Sequence, residues 1–263
     1  MSSGKQTGVV HDVDVARMYH LHSSNVRGRT MEGVSEGDDP PERLRTVVGA
    51  PRTSLPGRDF RLGADLGEVL ERRRSVRDFS GAPLPLATLG RLLHASFGVG
   101  ARRRFEGLGA WERPVPSAGG LYPLEIHLVT RAVVDLADGA HHYDARAHAL
   151  ELTRLGQSSE ALIDLTMGQA MVELANAVCV ITAVRRRTMF KYGQRGYRYL
   201  YLDAGHLGQN LYLVATALGL GAVGIGGFLD AELGALLGLP EDEDPLYVIA
   251  VGQPARRAEE GVS

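Results

Sequence analysis

The run Ala177-Val178-Cys179-Val180-Ile181-Thr182-Ala183-Val184 constrains this chain more than any other stretch. It is short, almost wholly apolar and rich in β-branched residues, the pattern of a strand buried in a sheet. A long apolar-sided helix follows at Arg198–Leu218, stopped by Gly219, and then a strand at Ala222–Ile225. Helices must therefore lie on a sheet, and the remaining pattern agrees. Leu66–Arg73 and Leu86–Phe97 have helical spacing, with Leu89, Leu92, Leu93 and Phe97 on one face of the second. Ile126–Thr130 and Tyr247–Val251 read as strands, and His141–Tyr143 with Ala149–Leu152 as a hairpin around Asp144-Ala145-Arg146. Ser159–Ala175 reads as one helix with a serine cap. Helices alternating with antiparallel-compatible strands make the fold α+β or mixed α/β.

The region before Leu62 carries less pattern. Gly33–Pro41 and Ala50–Gly57 read as linkers. His11–Arg27 holds one short helix, on which His20 and His22 are too isolated to argue a metal site. We expect residues 1–60 to form an arm that wraps a neighbour or stays mobile, and residues 61–263 to form the folded domain. Hydrophobic residues make up 44%, enough for a sizeable core, and a net charge of −2 gives no general attraction to nucleic acid or membrane. The chain opens on no secretory apolar region and shows no bilayer-spanning stretch, so the expectation is a soluble cytoplasmic protein. The lone cysteine, Cys179, excludes an intrachain disulfide and reads as a small buried hydrophobe.

The chemistry concentrates in Phe190-Lys191-Tyr192-Gly193-Gln194-Arg195-Gly196-Tyr197-Arg198-Tyr199, with three tyrosines, three cations and two glycines. At neutral pH only about 0.1% of a free phenol is phenolate. A nearby ammonium favours the charged form, and two unit charges ~4 Å apart at an effective dielectric of ~20 interact by about 4 kcal/mol. Lys191 and Tyr192 can thus form a proton-transfer unit. Neighbours on a helix do not face each other, so the pair needs a turn, which Gly193 permits. An aromatic-basic helix start with snorkelling side chains would read the same way.

Three other segments could hold a ligand. Arg72-Arg73-Arg74-Ser75-Val76-Arg77-Asp78-Phe79 places guanidiniums and a hydroxyl at a helix end, suited to phosphate oxygens, or simply a solvated cationic C-terminus. Arg113-Pro114-Val115-Pro116-Ser117-Ala118-Gly119-Gly120-Leu121-Tyr122-Pro123 is a stiff loop whose paired glycines let a planar ligand approach backbone. Gly219–Phe228 fits the dinucleotide fingerprint only loosely, because its glycines follow a helix instead of opening one. Asp203, His206 and Asn210 share a helical face, as a ligand-facing group or a polar seam between helices.

Together these segments resemble the nitroreductase-like flavoproteins, and within them the SagB-type thiazoline/oxazoline dehydrogenases. The quoted matches are Arg73–Phe79, Pro116–Pro123, Lys191–Tyr199 and Gly205-His206-Leu207-Gly208-Gln209-Asn210-Leu211, and the resemblance runs from about Leu66 to Pro254. It implies an α+β fold with a central, mostly antiparallel sheet flanked by helices, in an intertwined homodimer with two FMN sites at the interface. It implies that Arg73, Arg74 and Ser75 hold the FMN phosphate and ribityl chain, with Arg77 at the pyrimidine edge. Pro116, Ser117, Ala118 and Gly119 would line the ring, from the partner subunit if the interface is shared. Gly226 and Gly227 would approach N5, and Arg256 or Arg257 would add a phosphate contact. Lys191 and Tyr192 would be catalytic, Tyr192 as general base on the ring Cα–H with Lys191 orienting it or favouring its phenolate.

The implied reaction converts azoline rings of a peptide to thiazole or oxazole, with oxygen as the expected final acceptor. Residues 1–60 are too short and polar for a folded peptide-binding domain, so leader recognition would fall to a partner such as a cyclodehydratase complex. Two alternatives stay open. One is an NAD(P)H-dependent nitro- or enone reductase, or another peptide dehydrogenase of the same fold. The other is a catalytically idle docking subunit of a peptide-modifying complex.

Overall fold

The structure, a computed structural model, describes residues 15–25, 42, 44–58, 61–100, 102–105, 108–156 and 159–255. In chain order it contains α1 (Val15–His22), β1 (Arg52–Ser54), α2 (Leu66–Arg72), α3 (Leu86–Phe97), β2 (Arg102–Phe105), β3 (Leu108–Trp111), β4 (Leu124–Thr130), β5 (Gly139–Asp144) and β6 (Ala149–Leu155). There follow α4 (Ser159–Leu165), β7 (Ala177–Val184), α5 (Arg185–Tyr192), α6 (Gly196–Ala217), β8 (Gly221–Ile225), α7 (Asp230–Leu237) and β9 (Glu243–Gly252). Among the described residues, seven strands form one sheet in the order β1-β6-β5-β4-β7-β9-β8, and β2 and β3 pair separately. Every strand pairing in the large sheet is antiparallel.

The apolar run Ala177–Val184 is β7, set between β4 and β9. Strand side chains alternate between faces, and here both faces are covered. Cys179 and Ile181 join a core with Leu89, Leu92 and Leu93 of α3 and Leu200, Leu207 and Leu211 of α6. Val178 and Val180 join a second core with Leu162 and Leu165 of α4 and Leu233 and Leu237 of α7. Burial on both sides is why this strand lacks polar alternation. Burial also pushes the Cys179 thiol up to about 12, consistent with a small hydrophobe rather than a nucleophile. At the end of α6, Gly219 takes φ +74 and Leu220 N–H donates to Ala215 O at 2.8 Å, closing the helix where the sequence indicates.

Some readings are corrected. The helix expected over Ser159–Ala175 ends at Leu165, because Met167 and Gly168 turn to φ +54 and +84, and a 3-10 turn at Ala170–Glu173 replaces its second half. The linker Ala50–Gly57 contains β1, which pairs along β6. The helices α5 and α7 and the β2–β3 hairpin occupy stretches the sequence left unassigned. Gly33–Pro41 lies outside the described residues. No helix among the described residues is long and apolar enough to cross a membrane.

On the sheet face opposite α3 and α6, a polar network is buried. His142 places Nδ1 2.9 Å from Glu151 and Nε2 3.2 Å from Glu125. His127 Nε2 lies 2.9 Å from Glu243, which also accepts from Thr182 and pairs with Arg45. The segment before β1 is tied down here: Val47 N–H donates to Glu151 at 2.8 Å, and Arg52 pairs with Glu151 and Asp144. Burial disfavours the imidazolium of His142, but the two carboxylates outweigh it and hold the group at about 9. A group raised above its unfolded value of about 6.5 contributes stability that is complete below pH ~6.5 and lost as pH rises through ~9. The urea midpoint is therefore expected to fall between those pH values in the native chain, and that fall to vanish in His142→Gln. An unchanged alkaline limb in the variant would contradict the assignment.

Candidate active site

The loop at Val115–Tyr122 is held from below. The Arg113 guanidinium sits over the rings of Phe97 (4.3 Å to the centroid) and Tyr122 (5.3 Å) and donates to Phe97 O at 3.4 Å. Asp203 of α6, buried, accepts from Ser117 Oγ at 2.6 Å and from the Ala118 amide at 3.4 Å. Ser117 Oγ in turn accepts from the Tyr122 amide at 2.9 Å. Burial raises the Asp203 carboxyl above its ordinary value, against the opposing effect of the Ser117 hydroxyl and the Ala118 amide. Tyr122 is held at φ +48, a left-handed conformation uncommon for a non-glycine residue.

This loop delivers Gly119 to the Lys-Tyr pair. Gly119 takes φ +61, and a Cβ placed on it would lie 2.5 Å from Tyr192 Oη and 3.3 Å from Lys191 Nζ. The turn required for the two neighbours to cooperate is present. Helix α5 ends at Tyr192, whose φ −114 and ψ 5 leave helical geometry, and Gly193 caps it at φ +51. Lys191 Nζ stands 5.4 Å from the Tyr192 ring centroid, and Tyr199 of α6 meets that ring edge-on at 5.0 Å. Lys191 is one of two lysines in the chain, with Lys5. Of the other cations of the decapeptide, Arg195 stands 5.6 Å from the Tyr199 ring centroid, and Arg195 and Arg198 together fasten α1 through Ser23 and His20.

The arginine segment forms a second cluster. Val76 N–H donates to Ala222 O at 2.9 Å, which lays the segment beside β8. Tyr212 of α6 organises it: Arg73 stands over its ring at 5.5 Å, Ser75 Oγ lies 3.3 Å from its Oη, and that oxygen accepts from the Gly224 amide at 2.5 Å. Arg74 donates to the carbonyls of Glu71 and Arg73, and Arg77 to that of Ser75. Among the described residues none of these three arginines has a carboxylate partner. Gly226 and Gly227 follow β8 on the surface, and a Cβ on Gly226 would meet nothing within 4 Å. Unpaired guanidiniums next to open backbone fit a phosphorylated planar ligand such as FMN. Ala255 N–H donates to Asp78 O, so the chain ends its described course beside this segment; Arg256 and Arg257 lie outside the described residues.

Among the described residues the two clusters share no member. Asp203 and Tyr212, their anchors on α6, are nine residues apart, or about 13 Å along a helix rising ~1.5 Å per residue. Most members of both clusters lie in the segments that stand out in the sequence; Asp203 and Tyr212 are the two that do not. Of the polar face Asp203, His206 and Asn210, His206 is exposed and Asn210 donates to Ser96 O, so only Asp203 reaches the loop. Tyr212 carried no signal, because one tyrosine on a long helix reads as packing.

Residues 70–253 match the Nitroreductase family. A nitroreductase-type protein of Methanocaldococcus jannaschii, MJ1384, is 38% identical over 188 residues, 72% of this chain and 90% of that protein. The microcin B17-processing protein McbC of Escherichia coli is 28% identical over 141 residues, and this chain spans only 51% of its length. In the crystal structure of a nitroreductase-type protein from Anabaena variabilis, the same fold recurs with a TM-score of 0.71 and 26% identity, over 95% of this chain and 49% of that one.

Proposed function

Because this chain belongs to the nitroreductase family, we propose that it is an FMN-dependent dehydrogenase that oxidises thiazoline or oxazoline rings of a peptide to thiazole or oxazole. The observation that carries the proposal is the convergence of Lys191 Nζ and Tyr192 Oη on the Gly119 backbone. A flavin reductase fed by a nicotinamide has no need of a phenol and an ammonium meeting at a ring-lining loop; removal of a proton from a substrate carbon does. The similarity to McbC, a protein named for processing a peptide, supports the same substrate class.

Arg73, Arg74 and Ser75 would hold the FMN phosphate and ribityl chain, Arg77 the pyrimidine edge, and the backbone at Gly226 and Gly227 the ring. Pro116, Ser117, Ala118 and Gly119 would line its other side. A homodimer that sets the loop of one protomer against the arginine cluster of its partner closes the separation along α6. FMN, when bound, supplies the acceptor for the hydride that leaves the ring carbon next to Cα. Tyr192 would take the Cα proton as its phenolate and become the phenol, with the Lys191 ammonium nearby stabilising the phenolate before transfer. Tyr199 fixes the ring plane edge-on. The peptide must arrive with its rings already closed, so a cyclodehydratase complex acts before this protein.

Purified protein is expected to be yellow, to release FMN on denaturation, and with oxygen present to remove two hydrogens per ring from an azoline peptide, read by mass spectrometry. A colourless protein that refuses FMN would sink the proposal. The higher identity to MJ1384 favours a second reading, an NAD(P)H-dependent nitro- or enone reductase. Rapid flavin bleaching by NADPH with no peptide present, and no turnover of azolines, would select it.

A matched pair of variants tests the loop contact. Gly119→Ala and Gly120→Ala both force alanine into the left-handed region, at φ +61 and +63, a cost of about 1–2 kcal/mol each. Only at Gly119 would the new methyl displace the phenol; a Cβ added at Gly120 would meet nothing within 4 Å. A misplacement of ~1 Å can cost ~10²-fold in rate. Gly119→Ala is expected to lose that much turnover while Gly120→Ala stays near wild type. Equal activities would separate the loop from the chemistry.

A further inference from the structure

Asp203 is the one buried carboxylate of α6 that contacts the ring-lining loop, and its role lies outside the sequence matches that define the family resemblance. Both of its oxygens are engaged by that loop: Oδ2 accepts from the Ser117 hydroxyl at 2.6 Å and Oδ1 from the Ala118 amide at 3.4 Å. Ser117 Oγ has one proton, and that proton is committed to Asp203. The Tyr122 amide takes one of its lone pairs at 2.9 Å. The Ser117 side chain therefore shapes the loop and has no hydrogen left to give a ligand. Two residues further on, Gly119 meets Lys191 and Tyr192.

We propose that Asp203 is a positioning residue: through Ser117 and the Ala118 amide it sets the height of Gly119 against Lys191 and Tyr192, and so the place of the phenol oxygen. The inference rests on the proposed azoline dehydrogenation for its kinetic consequence, but not for its geometry. Asparagine keeps the size of the side chain and offers one acceptor oxygen where the loop uses two. Its amide nitrogen either faces the Ala118 N–H or turns to Ser117 Oγ and reverses that hydrogen bond, and either way the Ser117 proton or the Ala118 amide loses its carboxylate acceptor. Ser117→Ala breaks the same connection from the other side and leaves Asp203 in place. Asn210→Ala, on the same helix but bonded to Ser96 O, is the control.

The full-length protein loaded with FMN serves for every measurement. Asp203→Asn and Ser117→Ala are each expected to lower kcat on an azoline peptide by about 30–100-fold with KM changed less than about 3-fold, because the loss falls on reacting geometry and not on binding. The double variant is expected to be no worse than the weaker single variant by more than about 3-fold, since both act through one connection. A second readout is independent of activity. Reductive methylation with labelled formaldehyde marks the chain's two lysines, and the Lys191 dimethyl resonance is expected to move in both variants, with the Lys5 signal and the Asn210→Ala spectrum unchanged. An unmoved Lys191 signal overturns the inference, as do effects that multiply in the double variant or a loss confined to KM. Should Asp203→Asn fail to fold, Ser117→Ala alone decides it by the same resonance. A wild-type protein that does not oxidise azolines sinks the proposed function, while the resonance still decides the positioning role.

Discussion

Tyr192→Phe is expected to keep the fold and FMN and to lose turnover on an azoline peptide by about 10²–10⁴-fold, the usual contribution of a positioned general base. The substitution removes one oxygen. The ring remains held edge-on by Tyr199 at 5.0 Å, and Gly119 still abuts it, so position is preserved and only the proton acceptor is lost. Because the oxygen is absent and not misplaced, the deficit should appear in kcat at every substrate concentration. Lys191→Met is expected to fall between this variant and wild type, since it leaves the phenol but takes away the cation that steadies it. Full activity of Tyr192→Phe would remove tyrosine from the mechanism, whatever the cofactor.

Arg187→Met is expected to cost about 3–5 kcal/mol of stability, the range for breaking a buried charge pair from one side. The Arg187 guanidinium is 4% exposed and donates to Glu125 at 2.6 Å, with further bonds to the carbonyls of Glu42 and Tyr122. Methionine fills a similar volume but leaves Glu125 buried with His142 as its remaining partner. At ~2–4 °C per kcal/mol for a chain of this order of size, the midpoint of thermal unfolding should fall by about 6–20 °C. Arg186→Met is the comparison. Its pair with Asp242 spans 3.7 Å at the surface, and such pairs are worth about 0–1 kcal/mol. Urea unfolding of both variants checks the contrast, and a loss below ~1 kcal/mol for Arg187→Met would mean the network is not what anchors α5. The link to function is direct, because α5 carries Lys191 and Tyr192 at its far end.

The elements legible in the sequence are those whose burial follows a period. Leu86–Phe97 and Ala177–Val184 were read to the residue, because one apolar face of a helix and two apolar faces of a strand leave unmistakable patterns. Helix α5 was missed for the converse reason: Arg185, Arg186, Arg187 and Lys191 give it no apolar stripe, and it is held by charges instead. Strand β1 is only Arg-Thr-Ser, and its partner β6 lies about a hundred residues on. The break after α4 depends on Met167 entering the left-handed region, which nothing in its side chain favours.

The candidate site divides in the same way. Its segments were recognisable because each concentrates unusual residues: arginines beside a serine, paired glycines between prolines, a lysine next to a tyrosine. Their partners in space were not. That Gly119 meets Tyr192 depends on Asp203 gripping Ser117 from a third element, and no local pattern encodes a contact among three distant segments. The buried pairs of His142 with Glu125 and Glu151 were invisible likewise, since a histidine in a strand looks the same with or without a carboxylate across the sheet.

The most direct test of the account is an anaerobic half-reaction. FMN-loaded protein mixed with an azoline peptide, with no NADPH and no oxygen, is expected to lose its visible flavin band while each oxidised ring loses two hydrogens, one ring per flavin. A flavin that stays yellow with the peptide but bleaches at once with NADPH would contradict it.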